Sequence, residues 1–308
     1  MIAAAPKDSY ARLVEPHRAE LRAHCYRMLG SLHDAEDALQ ETLLRAWRGL
    51  SSFEGRSSVR TWLYRIATNV CLDLLARRPN EPAEWPEPFP DGMLEIEDGR
   101  AAPDARYEQR ESIELAFVAA FQHLPATQRA SLLLRDVLGF SAKETAAALD
   151  TTVASVNGTL RRARATVHDR LPERGQQQTL RELGDHEVRR IVERYADAFE
   201  RADLDAVVAM LAEDASFSMP PLPDRFDGLD EIVPFLARGP LRVRWRHLPV
   251  QASGQAAVAC YMWNARRGAY VFHAIDVLTL RGPRIAAITA FLDDQLFAPF
   301  GVPDELPA

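Results

Sequence analysis

The chain has 308 residues, 47% of them hydrophobic, with 37 basic against 44 acidic side chains and a formal net charge of −7. That is enough chain for two or three domains with ordinary cores. No apolar run reaches membrane-spanning length and no signal segment opens the chain, so no membrane association is expected. The acidic balance does not exclude nucleic-acid binding, which depends on where basic groups cluster rather than on their sum. Cys25, Cys71 and Cys260 are widely spaced and form no CxxC pair, which predicts a reduced, cytoplasmic protein with no metal site and no cofactor.

Met1–Lys7 reads as a loose end. Tyr10–Leu29 patterns as one helix, with Leu13, Leu21, Cys25 and Met28 inward and Arg18, Arg22 and Arg27 outward, stopped at Gly30 and Ser31. In the next helix Ala35, Leu39, Leu43, Ala46, Trp47 and Leu50 recur at steps of three and four and form a buried stripe. Asp34 is placed to cap it, and Asp37, Gln40, Glu41 and Leu44 occupy another side. A Gly/Ser loop carrying Arg56, Ser57 and Ser58 leads into a second helix whose core stripe is Val59, Leu63, Ile66, Val70 and Leu74. Arg60, Trp62, Arg65 and Asn69 fall elsewhere, with Tyr64 nearby. Such a row suits unstacked bases: rings stack, guanidinium holds phosphate, and an amide reads a base edge. The competing reading makes Trp62 and Tyr64 plain core aromatics.

The run DAEDALQETLLRAW, followed by FEGRSSVRTWLYRIATNVCLD, resembles the second conserved region of sigma-70-family factors of the extracytoplasmic-function type. The resemblance implies an all-α domain over residues 8–78. It implies that Asp34, Asp37, Gln40, Glu41 and Leu44 meet the β′ clamp helices of RNA polymerase core. It further implies that Arg56, Ser57, Ser58, Arg60, Trp62, Arg65 and Asn69 engage the melted minus-ten element of promoter DNA.

Residues 79–106 form a proline-rich, acidic linker. Trp85, Phe89, Met93, Leu94 and Ile96 are out of place in a pure spacer and predict local docking. The family resemblance implies a linker that threads the polymerase cleft; a simple acidic spacer is the alternative.

Residues 107–172 are helical again. Ile113, Leu115, Ala116 and Phe121 begin the run, Leu124–Pro125 breaks it, and Ala126–Leu138 continues it. A helix-turn-helix follows, with a capping box at Ser141 and Glu144, a turn at Asp150–Thr152, and a second helix held by Val153, Val156 and Leu160. The other face of that helix carries Thr152, Ser155, Asn157, Thr159, Arg161, Arg162 and Arg164. Short polar groups near its start can reach base edges in a major groove, and the arginines can hold phosphate. A structural helical corner with a basic face is the other reading. The segment resembles the fourth conserved region of the same family, which implies recognition of the minus-thirty-five element. The two regions stand in the family's order.

After a Gln-rich hinge at Pro172–Gly184, residues 185–303 change rhythm. Val188, Ile191, Tyr195 and Phe199 mark a helix and Leu204–Leu211 a second. Ala215–Met219 reads as a strand and Asp230–Leu236 as a short helix. Arg242–Leu248, Ala256–Trp263, Ala269–Leu280 and Arg284–Leu292 then read as an antiparallel sheet, an α+β pattern. This part resembles SnoaL-like cone domains, which certain sigma factors carry as a tail. Trp263, Tyr270 and Phe272, with Tyr261, are candidates for lining a pocket for a small apolar ligand, or for plain core packing. A catalytic reading would pair His273 with Asp276, with Asp214 as a third group. Strand residues three apart face opposite ways, so that pairing needs a bulge.

The fold expected is multi-domain: two all-α sigma domains and a C-terminal α+β cone. The function expected is a non-enzymatic sigma factor, without catalytic residues, whose tail regulates it in cis. The alternatives are a ligand-responsive helix-turn-helix regulator, or a SnoaL-like isomerase or cyclase joined to a DNA-binding part.

Overall fold

The structure, a computed structural model, describes residues 6–55, 57–77, 86–94, 113–171 and 174–308. The chain divides into two units, one of Met1–Glu87 with Met93–Pro172 and one of Pro88–Gly92 with Glu173–Ala308.

The first unit is helical. The single helix expected over Tyr10–Leu29 is two, α1 (Pro6–Val14) and α2 (Arg18–Leu29), split by a tight turn at Glu15–His17. Pro16 supplies no N–H and interrupts the ladder there. Gly30, at φ 73°, ends α2 and donates its N–H to Tyr26 O at 2.7 Å. Helix α3 (Leu32–Gly49) is capped by Ser31, not Asp34: Ser31 Oγ accepts from Asp34 N at 3.2 Å. Glu87 also caps it, accepting from Leu32 N at 2.6 Å, while Tyr26 Oη donates to Glu87 O at 2.6 Å. Ala35, Ala38, Leu39, Thr42 and Ala46 are buried. Trp47, expected inward, is 39% exposed and meets the Tyr10 ring edge-on, centroids 5.1 Å apart.

Helix α4 (Val59–Ala76) is capped by Ser58 and buries Leu63, Tyr64, Ala67, Thr68, Val70 and Cys71. Cys71 and Cys25 are both buried, and burial first, then the neighbouring Cys25, pushes the Cys71 thiol up. Helices α5 (Leu115–Gln122) and α6 (Ala126–Leu132) flank the predicted break, and α6 runs into a π turn at Leu133–Val137. Then come α7 (Ala142–Ala148), with both bonds of the Ser141/Glu144 capping box, and α8 (Val153–His168). Arg129 of α6 ties the unit together. Its buried guanidinium donates to Met28 O, to Gln122 Oε1 at 2.6 Å and O at 3.0 Å, and to Leu124 O at 3.2 Å. Met28 lies at the C-terminal end of α2, where the helix dipole favours a cation; burial nevertheless lowers the Arg129 pKa to about 10.

In the second unit the expected hinge is a helix, α9 (Gln176–Leu183). Gln176 pairs with the backbone of Leu280 in both directions, at 2.9 and 2.8 Å, and Gln177 Nε2 donates to Gly254 O. Helices α10 (Asp185–Glu200) and α11 (Leu204–Met210) precede β1 (Leu211–Ser218), β2 (Arg225–Asp227) and α12 (Leu229–Arg238). Next follow β3 (Trp245–Ala252), β4 (Gln255–Asn264), β5 (Ala269–Arg281), β6 (Arg284–Phe291), α13 (Phe297–Phe300) and β7 (Glu305–Leu306). The sheet order is β2-β1-β6-β5-β4-β3, with β7 beside β5. The four strands expected to be antiparallel, β3 to β6, are so. β1 pairs parallel with β6, as strands can when the connection between them is long. Ile191, Tyr195 and Phe199 of α10 pack on Val258, Cys260, Ala274 and Leu278 of the sheet, with Phe217, Ile232 and Leu236.

Candidate polymerase and nucleic-acid interfaces

On α3 the five predicted residues lie along one side. Asp37, Gln40 and Leu44 are exposed, Leu44 by 51%, while Asp34 and Glu41 are half-buried beside them. Glu41 accepts from Arg45 Nε at 2.7 Å, and Arg45 Nη1 donates to Asp73 at 3.0 Å. The result is an acidic strip with one uncovered leucine.

On α4 the predicted residues separate. Ser57 and Arg65 are exposed and Asn69 half-buried. Trp62 is half-buried, its ring tilted on Phe53 with centroids 4.8 Å apart. Ser58 Oγ is engaged as the helix cap, accepting from Thr61 N at 3.0 Å. Arg60, half-buried, is engaged within the protein: Nε donates to Glu20 Oε2 at 2.9 Å, and the guanidinium lies over the rings of Tyr64 and Phe140 at 4.9 and 5.2 Å. Tyr64 is fully buried, so the core-aromatic reading holds for it. Arg56 lies outside the described residues. Sequence reasoning missed Phe53, the ring on which Trp62 rests; its place directly before the Gly/Ser loop was the available signal.

On α8, Ser155, Asn157, Arg161 and Arg162 are exposed. Thr152 Oγ1 accepts from Ser155 N at 3.1 Å and is the helix cap. Thr159 Oγ1 accepts from Arg162 Nη2 at 3.4 Å. Arg164 forms a two-bond fork with Asp136. Asn157, Leu160, Arg161, Arg164 and Arg135 line a cleft of about 370 Å³. Val156 and Leu160 hold the helix as expected, joined by Ala163 and Val167, whereas Val153, expected with them, is 43% exposed.

In the second unit Trp263 and Tyr270 are cross-strand partners, as are Tyr261 and Phe272. All four lie on the sheet face opposite Val258 and Cys260, because they fall on the other parity of β4. They therefore do not line the cone's interior. Tyr261 Oη donates to Pro303 O at 2.8 Å and the Phe272 ring meets Phe297. The bulge that a His273–Asp276 pairing needs is present. The register shifts so that Phe272 and Ala274 oppose consecutive β4 residues, leaving His273 as the extra one. His273 lies beside Trp245 of the core side, centroids 5.6 Å apart. Asp276 is buried and accepts from Tyr195 Oη at 2.8 Å; burial raises its pKa, against the Tyr195 bond. Asp214 stands apart, exposed and bonded to Arg281 Nη1 at 2.8 Å. Among the described residues no group of three or more His, Cys, Asp or Glu converges as a metal site would, and no helix is long and apolar enough to cross a membrane.

A basic helix-turn-helix packed in one unit with a second helix bearing rings and guanidinium groups defines a helical transcription protein. Residues 13–80 match Sigma-70 region 2, residues 114–167 match Sigma-70, region 4, and residues 192–288 match the SnoaL-like domain. The ECF RNA polymerase sigma factor SigG of Mycobacterium tuberculosis is 39% identical over 329 aligned residues, covering 97% of this chain and 85% of the relative. SigM of the same species is 32% identical over 163 residues, 51% of this chain and 76% of the relative. The crystal structure of the Mycobacterium tuberculosis extracytoplasmic function sigma factor SigJ has a similar fold, with a TM-score of 0.62 at 22% identity over 94% of this chain and 98% of that chain. The chain belongs to the ECF RNA polymerase sigma factors, which bind polymerase core and direct it to promoter DNA, and it carries a C-terminal SnoaL-like domain.

Proposed function

We propose that α3 docks on the β′ clamp helices of polymerase core through Asp34, Asp37, Gln40, Glu41 and Leu44. Ser57, Trp62, Arg65 and Asn69 then engage the melted minus-ten strand. Ser155, Asn157, Arg161 and Arg162 contact the minus-thirty-five duplex. The second unit regulates these activities in cis, in the cytoplasm, and catalyses nothing: Asp276 is held by Tyr195 as a structural group rather than aimed at a substrate. The observation that supports this reading best is the match of residues 13–80 to Sigma-70 region 2, on whose α3 Asp37, Gln40 and Leu44 stand exposed together. Run-off transcription with core polymerase tests it. The full chain should yield promoter-specific transcripts, and Asp37→Lys with Glu41→Lys should abolish both the transcripts and co-purification with core. Transcription undiminished by that double change would refute the docking assignment.

A further inference from the structure

The linker segment Pro88–Gly92 is part of the second unit, far in sequence from the rest of it. Phe89 is fully buried there. Its N–H donates to Ser253 Oγ at 3.0 Å, and Ser253 N donates to Phe89 O at 2.6 Å. Pro90 bridges Ala252 in antiparallel fashion, and Gly254 N donates to Asp91 Oδ1 at 2.8 Å. The receiving surface is the two-residue turn between β3 and β4, with Ser253 at φ 55° and Gly254 at φ 68°.

A turn of this kind favours Gly, Asn or Asp at both central positions, because positive φ crowds a side chain. Ser253 is therefore a locally unfavourable residue at its own position. What it adds over glycine is the hydroxyl oxygen that receives the Phe89 N–H. Strain kept at a ligand-holding position is a pointer to function. The segment complements the turn at each step: Phe89 offers a donor, an acceptor and a ring, Pro90 has no N–H to satisfy, and Asp91 takes the N–H of Gly254. Burial of Pro88, Phe89 and Pro90 and these hydrogen bonds are set against the conformational entropy of five ordered residues.

We propose that the β3–β4 turn is a peptide-docking site that reads Phe89-Pro90-Asp91, and that core polymerase binding releases this segment from it. The proposal rests on the cis-regulatory reading above and gives it a mechanism. Residues 78–112 connect α4 to α5. Docking of Pro88–Gly92 anchors that connection at the turn, and release leaves it a free tether.

Hydrogen exchange on the full chain, with and without core polymerase, reads the docking directly at the amides of Phe89, Ser253 and Gly254. The expected result is protection in the free protein and at least a tenfold loss of it in the complex with core. Ser253→Gly suits the turn better and removes only the hydroxyl acceptor, so it should fold. It should lose protection at Phe89 without core and raise transcript yield severalfold at limiting core. Asp91→Ala should act in the same direction. If a transcribing complex keeps these amides protected, or if both variants transcribe as the parent does, the docking mechanism is overturned while the sigma reading stands. If the parent chain makes no transcript at all, both fall.

Discussion

Arg164 and Asp136, separated by a turn and a helix, form a forked ion pair, with Nε and Nη2 of the arginine 2.8 and 2.7 Å from the two carboxylate oxygens. Arg161 and Arg162, on the same helix, have exposed side chains. The three arginines are therefore not equivalent. Arg161→Ala and Arg162→Ala should each weaken duplex binding and lower the slope of log affinity against log salt by about 1. Arg164→Ala should leave that slope unchanged and cost no more than about 1 kcal/mol of stability, since the pair is solvent-screened. Titrations of a promoter duplex at several salt concentrations separate the two behaviours.

Leu44 is exposed on α3 and its side chain is not part of the helix's buried face. Leu44→Asp should change folding stability by no more than about 0.5 kcal/mol, yet strongly reduce binding to core polymerase. Urea midpoints paired with pull-down on immobilised core check both halves. A normal pull-down would remove Leu44 from the docking surface.

Gly30 and Gly139 both have positive φ, at 73° and 70°. A Cβ on Gly30 would come within 2.9 Å of the Gln122 side chain, whereas one on Gly139 would meet nothing within 4 Å. Ala at position 139 should cost about 1 kcal/mol, from backbone strain alone. Ala at position 30 should cost about 2–3 kcal/mol, because Gln122 is held by Arg129 and has little room to retreat. Urea unfolding of the two variants gives the comparison.

His24 is fully buried between Tyr64 and Thr68. Thr68 Oγ1 donates to Tyr64 O, so it accepts from His24 Nε2, which fixes the neutral tautomer and leaves Nδ1 bare. Burial, then the charges of Arg27 and Arg60, lower its pKa from 6.5 to about 3. The unfolded chain therefore binds a proton below pH 6.5 that the folded chain refuses until about pH 3. Stability should be insensitive to this group above pH 6.5 and fall as pH drops through that window, by about 2 kcal/mol between pH 6.5 and 5. His24→Asn should flatten this dependence in urea melts run at several pH values.

Much of this fold could be read from residue spacing. The capping box at Ser141, the strands of the C-terminal sheet and the polar side of α3 follow from local periodicity, which the chain obeys wherever one face is buried. Residue spacing does not show a side chain's own partners. Arg164 and Thr152 are exposed, as their helix face predicts, yet their bonds to Asp136 and the Ser155 N–H, like that of Arg60 to Glu20, become visible only when the helices are packed and capped. Strand parity puts Trp263 and Tyr270 on one face with Tyr261 and Phe272 but does not say which face is inner, so it leaves pocket lining and core packing both open. Parity sets His273 and Asp276 on opposite faces unless a bulge intervenes, and one extra residue in β5 is that bulge. Phe89 stands out in an acidic spacer by its residue type alone, while the turn that holds it lies 164 residues away and is invisible to local pattern.

The compact division of the chain does not follow the order of its residues, since Pro88–Gly92 sits with the C-terminal unit while both flanks belong to the helical one. Any gene fragment ended near position 172 would leave Phe89 without its cover and hand the solvent a naked phenyl ring. Gain or loss of activity in such a fragment would mix the absence of a regulator with the stickiness of a torn seam. Single-residue changes at the turn, made in the intact polypeptide, avoid that confusion.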